Sequence, residues 1–110
     1  MYQGTTPSLV FSVIGEDLSD KTVYLTIKNN GQTITKKNNN LVITYDETTK
    51  TTQIICRLTQ KETLSLKDTA IVHIRYIDAQ GHAYATEKGR FNVEESLNKE
   101  VITYEGDGNG

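Results

Sequence analysis

The length, composition and charge of the chain narrow the classes of protein to which it can belong. Its 110 residues suffice for one domain with a single two-layer core. Charged residues make up 24% of the chain and the formal net charge is -2, a balance that argues against nucleic acid or an anionic membrane surface as a partner. No stretch approaches the roughly 20 apolar residues that a membrane-spanning helix needs.

The first residues and the single cysteine indicate where the protein is made. Residues 1–14 lack the basic start and the apolar run of a secretory signal. Cys56 has no second cysteine with which to form an internal disulfide, which suits a reducing compartment. We therefore expect synthesis in the cytoplasm and a fold held together by packing.

Apolar and polar residues alternate along most of the chain, and this alternation is typical of half-buried strands. Leu9, Phe11 and Val13, for example, share one face of the first predicted strand. Turn-forming residues separate the segments, and the run 29–31 is a strong hairpin signal. The pattern predicts seven strands, at residues 8–14, 22–28, 32–36, 41–45, 51–58, 70–78 and 82–93.

One short helical turn is expected between the fifth and sixth strands. Thr59 is followed three residues later by Glu62, the spacing of a capping box. Short strands joined by tight turns, with so little helix, indicate an all-β antiparallel sandwich rather than a small barrel. We predict a single domain over residues 1–105 and a flexible glycine-rich tail over residues 106–110.

Residues that could carry chemistry do not form a complete set in the sequence. Alternation places Cys56 on the inward face and His73 on the outward face of their strands, so the two should not meet as nucleophile and base. The histidines His73 and His82 lack metal-ligand spacing, and the acidic loop around Asp17 and the end of the chain around Asp107 do not complete a calcium motif. We expect no metal, no cofactor and no catalytic residue.

Several large residues fall on faces that alternation predicts to be exposed. Two interpretations remain open: the residues form a contact surface, or they cover the second face of a sheet beneath loops. They are Tyr24, Tyr84, Ile55, Ile71 and Ile77.

The segment 100–104 follows the last predicted strand after the polar stretch 94–99, and it resembles a spare strand. Val101, Ile102 and Tyr104 are therefore candidate assembly contacts, through which the segment pairs with a neighbouring subunit. The alternative is that the segment closes its own sheet.

The start of the sixth strand resembles that of strand F in immunoglobulin-like domains, where Asp68, Thr69 and Ala70 have common counterparts. The resemblance implies that the predicted strands are B, C, C′, D, E, F and G, with strand A reduced to the first few residues. Val72 and Ile74 stand at the positions of the corner tyrosine and the strand F cysteine. The resemblance therefore implies the sandwich topology and not an antibody-type domain.

A second resemblance spans about residues 4–103. It rests on Gly4, Thr5, Thr6 and Pro7, on Leu9, Phe11 and Val13, on the turn of Asp17, Leu18, Ser19 and Asp20, on the runs 22–28 and 58–66, and on Ala83, Tyr84, Ala85, Thr86 and Glu87. In these features the chain is similar to small phage and prophage tail-region proteins of Gram-positive bacteria, including the N-terminal sandwich domain of baseplate upper proteins.

This second resemblance implies a non-catalytic structural protein of a virion tail or baseplate, made in the host cytoplasm and located in the virion. Its partners would be other virion or tail proteins, and a homo-oligomer is possible. The alternative function is an immunoglobulin-like module that binds carbohydrate or another cell-surface ligand. Tryptophan is absent and the loops consist mostly of Asn, Lys and Thr, so that alternative lacks the usual aromatic platforms.

Overall fold

The structure is a computed structural model that describes residues 1–29, 31–86 and 88–104. The predicted tail at 106–110 lies outside the described residues, as do Glu105 and Asn30. The described strands are β1 Ser8–Ile14, β2 Thr22–Asn29, β3 Gln32–Lys37, β4 Leu41–Asp46, β5 Thr51–Arg57, β6 Asp68–Ile77, β7 Ala83–Ala85 and β8 Gly89–Val93. A 3-10 turn, Asn38–Asn40, joins β3 to β4, and the short helix α1, Gln60–Leu64, joins β5 to β6.

The strands form two antiparallel sheets. One sheet has three strands in the order β1, β5, β4, and the other places β3, β2 and β6 side by side with both β7 and β8 on the far flank of β6. The three-stranded order matches strands B, E and D of an immunoglobulin-like sandwich, and the second sheet matches C′, C, F and G. The predicted all-β sandwich is confirmed.

The last predicted strand, 82–93, is wrong as a single element, because the structure divides it in two. β7 pairs with residues 75–77 of β6 and β8 pairs with residues 68–72. Between them, the Thr86 N–H donates to the Ile74 carbonyl at 2.9 Å, and the Thr86 hydroxyl lies 3.3 Å from both the N and the O of Ile74. The pairing with β6 shifts by one residue between β7, where Arg75 lies opposite Ala85, and β8, where Val72 lies opposite Gly89. The described part of the chain therefore has eight strands instead of seven.

The expected helical turn is present, with both halves of its capping box. Thr59 Oγ1 accepts from the Glu62 N–H at 3.1 Å, and Glu62 Oε1 accepts from the Thr59 N–H at 2.8 Å. The 3-10 turn Asn38–Asn40 lies between the third and fourth predicted strands, where the sequence pattern predicted no helical turn. The hairpin between β2 and β3 is confirmed, with Gly31 at a φ of 84° in the left-handed region.

The core lies between the inner faces of the two sheets. Cys56 is fully buried beside Ile54 on β5, as alternation predicted. The other buried apolar side chains are Leu18, Val23, Leu25, Ile27, Leu58, Leu66, Ala70, Val72, Ile74, Tyr76 and Val93. Tyr84 is exposed, as predicted, but it lies on the inner side of its sheet, opposite Tyr76, and the two rings stack with centroids 5.3 Å apart.

The first residues form a short remnant of strand A. Tyr2 bridges Glu94 in parallel, with the Glu94 N–H donating to the Met1 carbonyl at 2.6 Å and the Gln3 N–H donating to the Glu94 carbonyl at 3.0 Å. Within residues 1–29, 31–86 and 88–104, no helix has the length and apolar character needed to cross a membrane.

Candidate assembly surface

The two flanks of the sandwich differ because the sheets differ in width. β3 continues through the 3-10 turn directly into β4, so the sheets meet at that flank. The first sheet is three strands wide, whereas the second is four strands wide, since β7 and β8 share one position beside β6. At the opposite flank the wider sheet must therefore extend beyond β1, and we call β7 and β8 the overhang.

The inner face of the overhang is incompletely covered. Tyr84 remains 46% exposed although its ring stacks on the buried Tyr76, and Phe91 is half-buried. A groove of about 550 Å³ runs between β1 and the overhang. It is lined by Val10, Phe11, Ser12, Val13, Ile14, Val72, Ile74, Tyr76, Ala85, Thr86 and Gly89, none of which is charged. The groove is thus an uncharged and largely apolar trough at the rim of the core.

One wall of the groove is the unpaired edge of β1. The bonds from the Leu58 N–H to the Pro7 carbonyl (3.2 Å) and from the Gly15 N–H to the Lys50 carbonyl (2.7 Å) continue the register of β1 with β5. Because bonded and non-bonded pairs alternate in an antiparallel ladder, the odd-numbered residues of β1 are bonded to β5. The N–H and C=O groups of Ser8, Val10, Ser12 and Ile14 therefore point away from β5, and no other described strand pairs with them. We call this side of β1 the open edge.

The open edge lacks the features by which proteins usually protect a free strand. Charged side chains, proline and bulges discourage pairing with another chain. At the edges of the wider sheet, β3 carries Lys36 and Lys37, and β7 is only three residues long. In the narrower sheet, β4 ends in Asp46. β1 reads SLVFSVI, which has neither charge nor proline, and its register with β5 is unbroken. Among the free strands, β1 is the one most exposed to pairing.

An apolar stripe crosses the outer face of the same sheet. Val10 on β1 lies opposite Ile55 on β5, and Ile55 lies opposite Val42 on β4. Val10 and Val42 are exposed and Ile55 is half-buried. Of the outward residues predicted from alternation, Ile55 belongs to this stripe, whereas Tyr24, Ile71 and Ile77 lie on the outer face of the other sheet.

The predicted assembly contacts lie at the end of the described chain. Val101, Ile102 and Tyr104 are exposed, Ile102 to 61% and Tyr104 to 87%, and residues 101–104 belong to no strand. The alternative that this segment closes its own sheet is therefore wrong. Instead, the amide of Gln60 bonds both backbone groups of Ile102: its Nε2 donates to the carbonyl and its Oε1 accepts from the N–H, each at 2.7 Å.

The side chains considered for catalysis or metal binding have structural roles in the described fold. Burial raises the pKa of the Cys56 thiol, which disfavours its reactive thiolate form. His73 is on the outer face, with Nε2 2.8 Å from the Thr86 carbonyl. Asp17 Oδ1 accepts hydrogen bonds from the backbone and hydroxyl of Ser19, and these bonds lower the pKa of its carboxyl. Within the described residues, no group of three or more His, Cys, Asp or Glu could hold a metal ion.

Sequence reasoning identified the exposed segment at the end of the chain but missed the open edge. The signal was present in the uncharged run of β1, yet an uncharged alternating strand is equally typical of the middle of a sheet.

The chain matches no protein-family model and no curated protein.

Proposed function

We propose that this protein is a non-catalytic structural component of a phage or prophage tail or baseplate, and that it acts by assembling through the edges of its sheets. The observation that carries the proposal is the open edge of β1, an uncharged strand with four unpaired residues beside an apolar groove. Such an edge promotes pairing with another chain unless it is covered, and the described part of this chain does not cover it.

The distribution of polar groups supports an assembly role. The side chains that could have formed a reactive centre, including Asp17 and His73, hold turns and strand ends in place. Asp78 likewise accepts from the backbone of Gln80 and His82 in the β6–β7 turn, at 3.0 and 2.9 Å. Three surface features of the described residues are uncharged and largely apolar: the groove, the stripe through Val10 and the segment 101–104.

The setting in a tail or baseplate is supported by the sequence resemblance. That resemblance comes from the pattern of strands and turns over residues 4–103, and it brings no catalytic residue with it. A structural protein that is present in many copies in one particle needs a surface that binds neighbouring subunits. The open edge is a candidate for that surface.

The test is to locate the protein in particles. Particles would be induced from the bacterial strain that carries the gene, purified by density, and examined by mass spectrometry and by immunogold electron microscopy with an antibody against this chain. We expect the protein to copurify with the particles and the gold to label the tail or its tip. An uninduced culture processed in parallel is the control.

Two results would contradict the proposal. The protein could remain entirely in the soluble fraction of the lysate while the particles are intact and unlabelled. It could also bind purified cell-wall carbohydrate without associating with particles, which would favour the ligand-binding alternative.

A further inference from the structure

We propose that the groove beside the open edge is completed by residues 101–104 of a second copy of this chain, which add to β1 as an extra strand. This inference rests on the proposed assembly function and names its partner. We call residues 101–104 the donor segment.

The shape of the groove between β1 and the overhang fits a single extended strand better than a second whole sandwich. If two whole sandwiches paired β1 to β1 about a two-fold axis, both overhangs would project beneath the same joint sheet. Each overhang would then occupy the space that the other requires, because the wider sheet already extends one strand beyond β1. A single extended segment, by contrast, can lie between β1 and the overhang without this conflict.

The donor segment lies outside both sheets of the described chain. It contains Val101 and Ile102, carries no charge, and follows Glu100 and the polar stretch 94–99. The groove is likewise uncharged, so neither surface would bury an unpaired charge when they meet. The segment is bound in its own domain through the two bonds between the Gln60 amide and the Ile102 backbone.

The backbone chemistry of the two partners matches. Val10 and Ser12 each present an N–H and a C=O on the open edge, so a short added strand would form about four main-chain hydrogen bonds with them. The bonds lost at Gln60 would be replaced by bonds of the same kind. Side chains alternate along a strand, so Ile102 and Tyr104 would share one face, and this face would enter the groove against Phe11 and Tyr76.

The position of the donor segment favours exchange between copies. It leaves the domain beside α1, where Gln60 holds it, whereas the groove lies between the middle of β1 and the overhang. Donation from one copy to the next is a head-to-tail contact, which generates rings or filaments, and reciprocal donation closes a dimer.

The experiment measures the mass of the full-length protein by multi-angle light scattering over a concentration series. We expect oligomers that dissociate on dilution. Ser12→Pro removes an N–H on the open edge while leaving the ladder to β5 intact, and Ile102→Asp places a charge in the donor segment. Each variant should be monomeric. Ser12→Ala and Leu97→Asp are the matched controls and should behave as the parent protein, Leu97 being 98% exposed and outside the donor segment.

Mixing the two monomeric variants provides the most specific test. Ser12→Pro retains a working donor segment and Ile102→Asp retains a working open edge. An equimolar mixture should therefore form a complex of one copy of each, which neither variant forms alone.

Hydrogen exchange gives a second measurement that needs no substitution. The N–H groups of Val10 and Ser12 should be protected at high protein concentration and exchange rapidly at low concentration. Those of Phe11 and Val13, which are bonded to β5, should be protected at both concentrations and serve as the internal control.

The outcomes separate this inference from the proposed function. Oligomers that persist in both variants, or a mixture that stays monomeric, would overturn strand donation while leaving assembly through another surface intact. A parent protein that is monomeric at every concentration would also overturn strand donation, and labelled particles would then still support the tail assignment.

Discussion

At the flank where β3 leads into β4, the side chain of Asn38 forms hydrogen bonds with backbone groups at the start of β2. At the β1 flank, no described residue forms hydrogen bonds with the backbone groups of the open edge. Asn38 Oδ1 accepts from the Val23 N–H at 2.6 Å, and its Nδ2 donates to the Lys21 carbonyl at 2.8 Å. One amide side chain thus substitutes for a length of neighbouring strand. The comparison teaches that a single amide side chain can satisfy free backbone N–H and C=O groups where the two sheets meet. No described side chain does the same for the open edge of β1.

The same use of amide side chains recurs elsewhere in the domain. Asn29 accepts from the Lys67 N–H at 2.9 Å and donates to the carbonyls of Lys67 and Thr69. Gln60 binds the backbone of Ile102 on the same principle. Against this background the open edge stands out, because it has four unpaired residues and no amide among the described side chains bonds them.

The largest expected effect is a loss of unfolding free energy at the centre of the wider sheet, which should exceed the loss at the β1 flank. Leu25 is fully buried, so Leu25→Ala should lower the free energy of unfolding by about 2 to 5 kcal/mol, since it removes apolar contacts and leaves a cavity. Val13→Ala, in the half-buried wall of the groove, should cost clearly less. Urea denaturation of both variants measures the difference, and equal losses would show that the open flank is packed as tightly as the centre.

Removing the Asn38 amide should destabilise the flank where β3 leads into β4. Asn38→Ala leaves the Val23 N–H and the Lys21 carbonyl without this partner, which should cost about 1 to 3 kcal/mol of unfolding free energy. Asn39→Ala, at an exposed position of the same turn, is the control and should stay within about 0.5 kcal/mol of the parent. A loss at Asn38 no larger than at Asn39 would remove the distinction between the flanks.

Cys56 reports how far the open flank exposes the core. It is fully buried on the central strand of the narrow sheet, and burial raises its thiol pKa, so labelling by a thiol reagent should be slow without denaturant. Cys56→Ser should cost about 1 to 3 kcal/mol because a hydroxyl would lie in an apolar site. Rapid labelling of the native protein would mean that the groove opens into the core.

The smallest effect concerns the ion pair that ties α1 to β3. Burial opposes ionisation of Glu62, but hydrogen bonds from Lys36 and Thr59 outweigh it, so the carboxyl pKa falls below 4.5. A carboxyl whose pKa is lower in the folded state contributes stability above its unfolded pKa, and this contribution is lost as the pH falls from about 4.5 through the folded value. Glu62→Gln should therefore flatten the dependence of melting temperature on pH below about 5. Glu47→Gln, in the exposed β4–β5 turn, should leave that dependence unchanged.

The sequence predicted most of the fold because the information needed is local. Alternation placed Cys56 and Ile54 inward, and the spacing of Thr59 and Glu62 identified the helical turn. The division of the last strand was missed because it depends on a one-residue shift of register against β6, which is a different strand. The orientation of Tyr84 was missed for the same reason, since residue 84 follows the register of β7 and not that of a continuous strand.

The candidate surface was harder to predict than the fold. An edge strand is defined by what lies beside it, and the position of β1 at a flank depends on the order of strands in both sheets. Val101 and Ile102 could be recognised as candidates because their segment follows the last strand after a polar stretch and resembles a spare strand. The groove they are proposed to enter arises from the unequal widths of the sheets, which no local pattern encodes.

The pairing between residues 1–3 and 92–94 sets the moment at which a nascent chain can complete its fold. Gln3 is buried, and its amide bonds the Leu66 carbonyl, the Ser96 N–H and the Lys99 ammonium, so its partners come from distant parts of the chain. During synthesis Ser96 and Lys99 reach Gln3 only after the ribosome has released residues 96–99. Until β7 and β8 have emerged, β6 has only β2 as a neighbour, so folding is completed after the last strand has emerged.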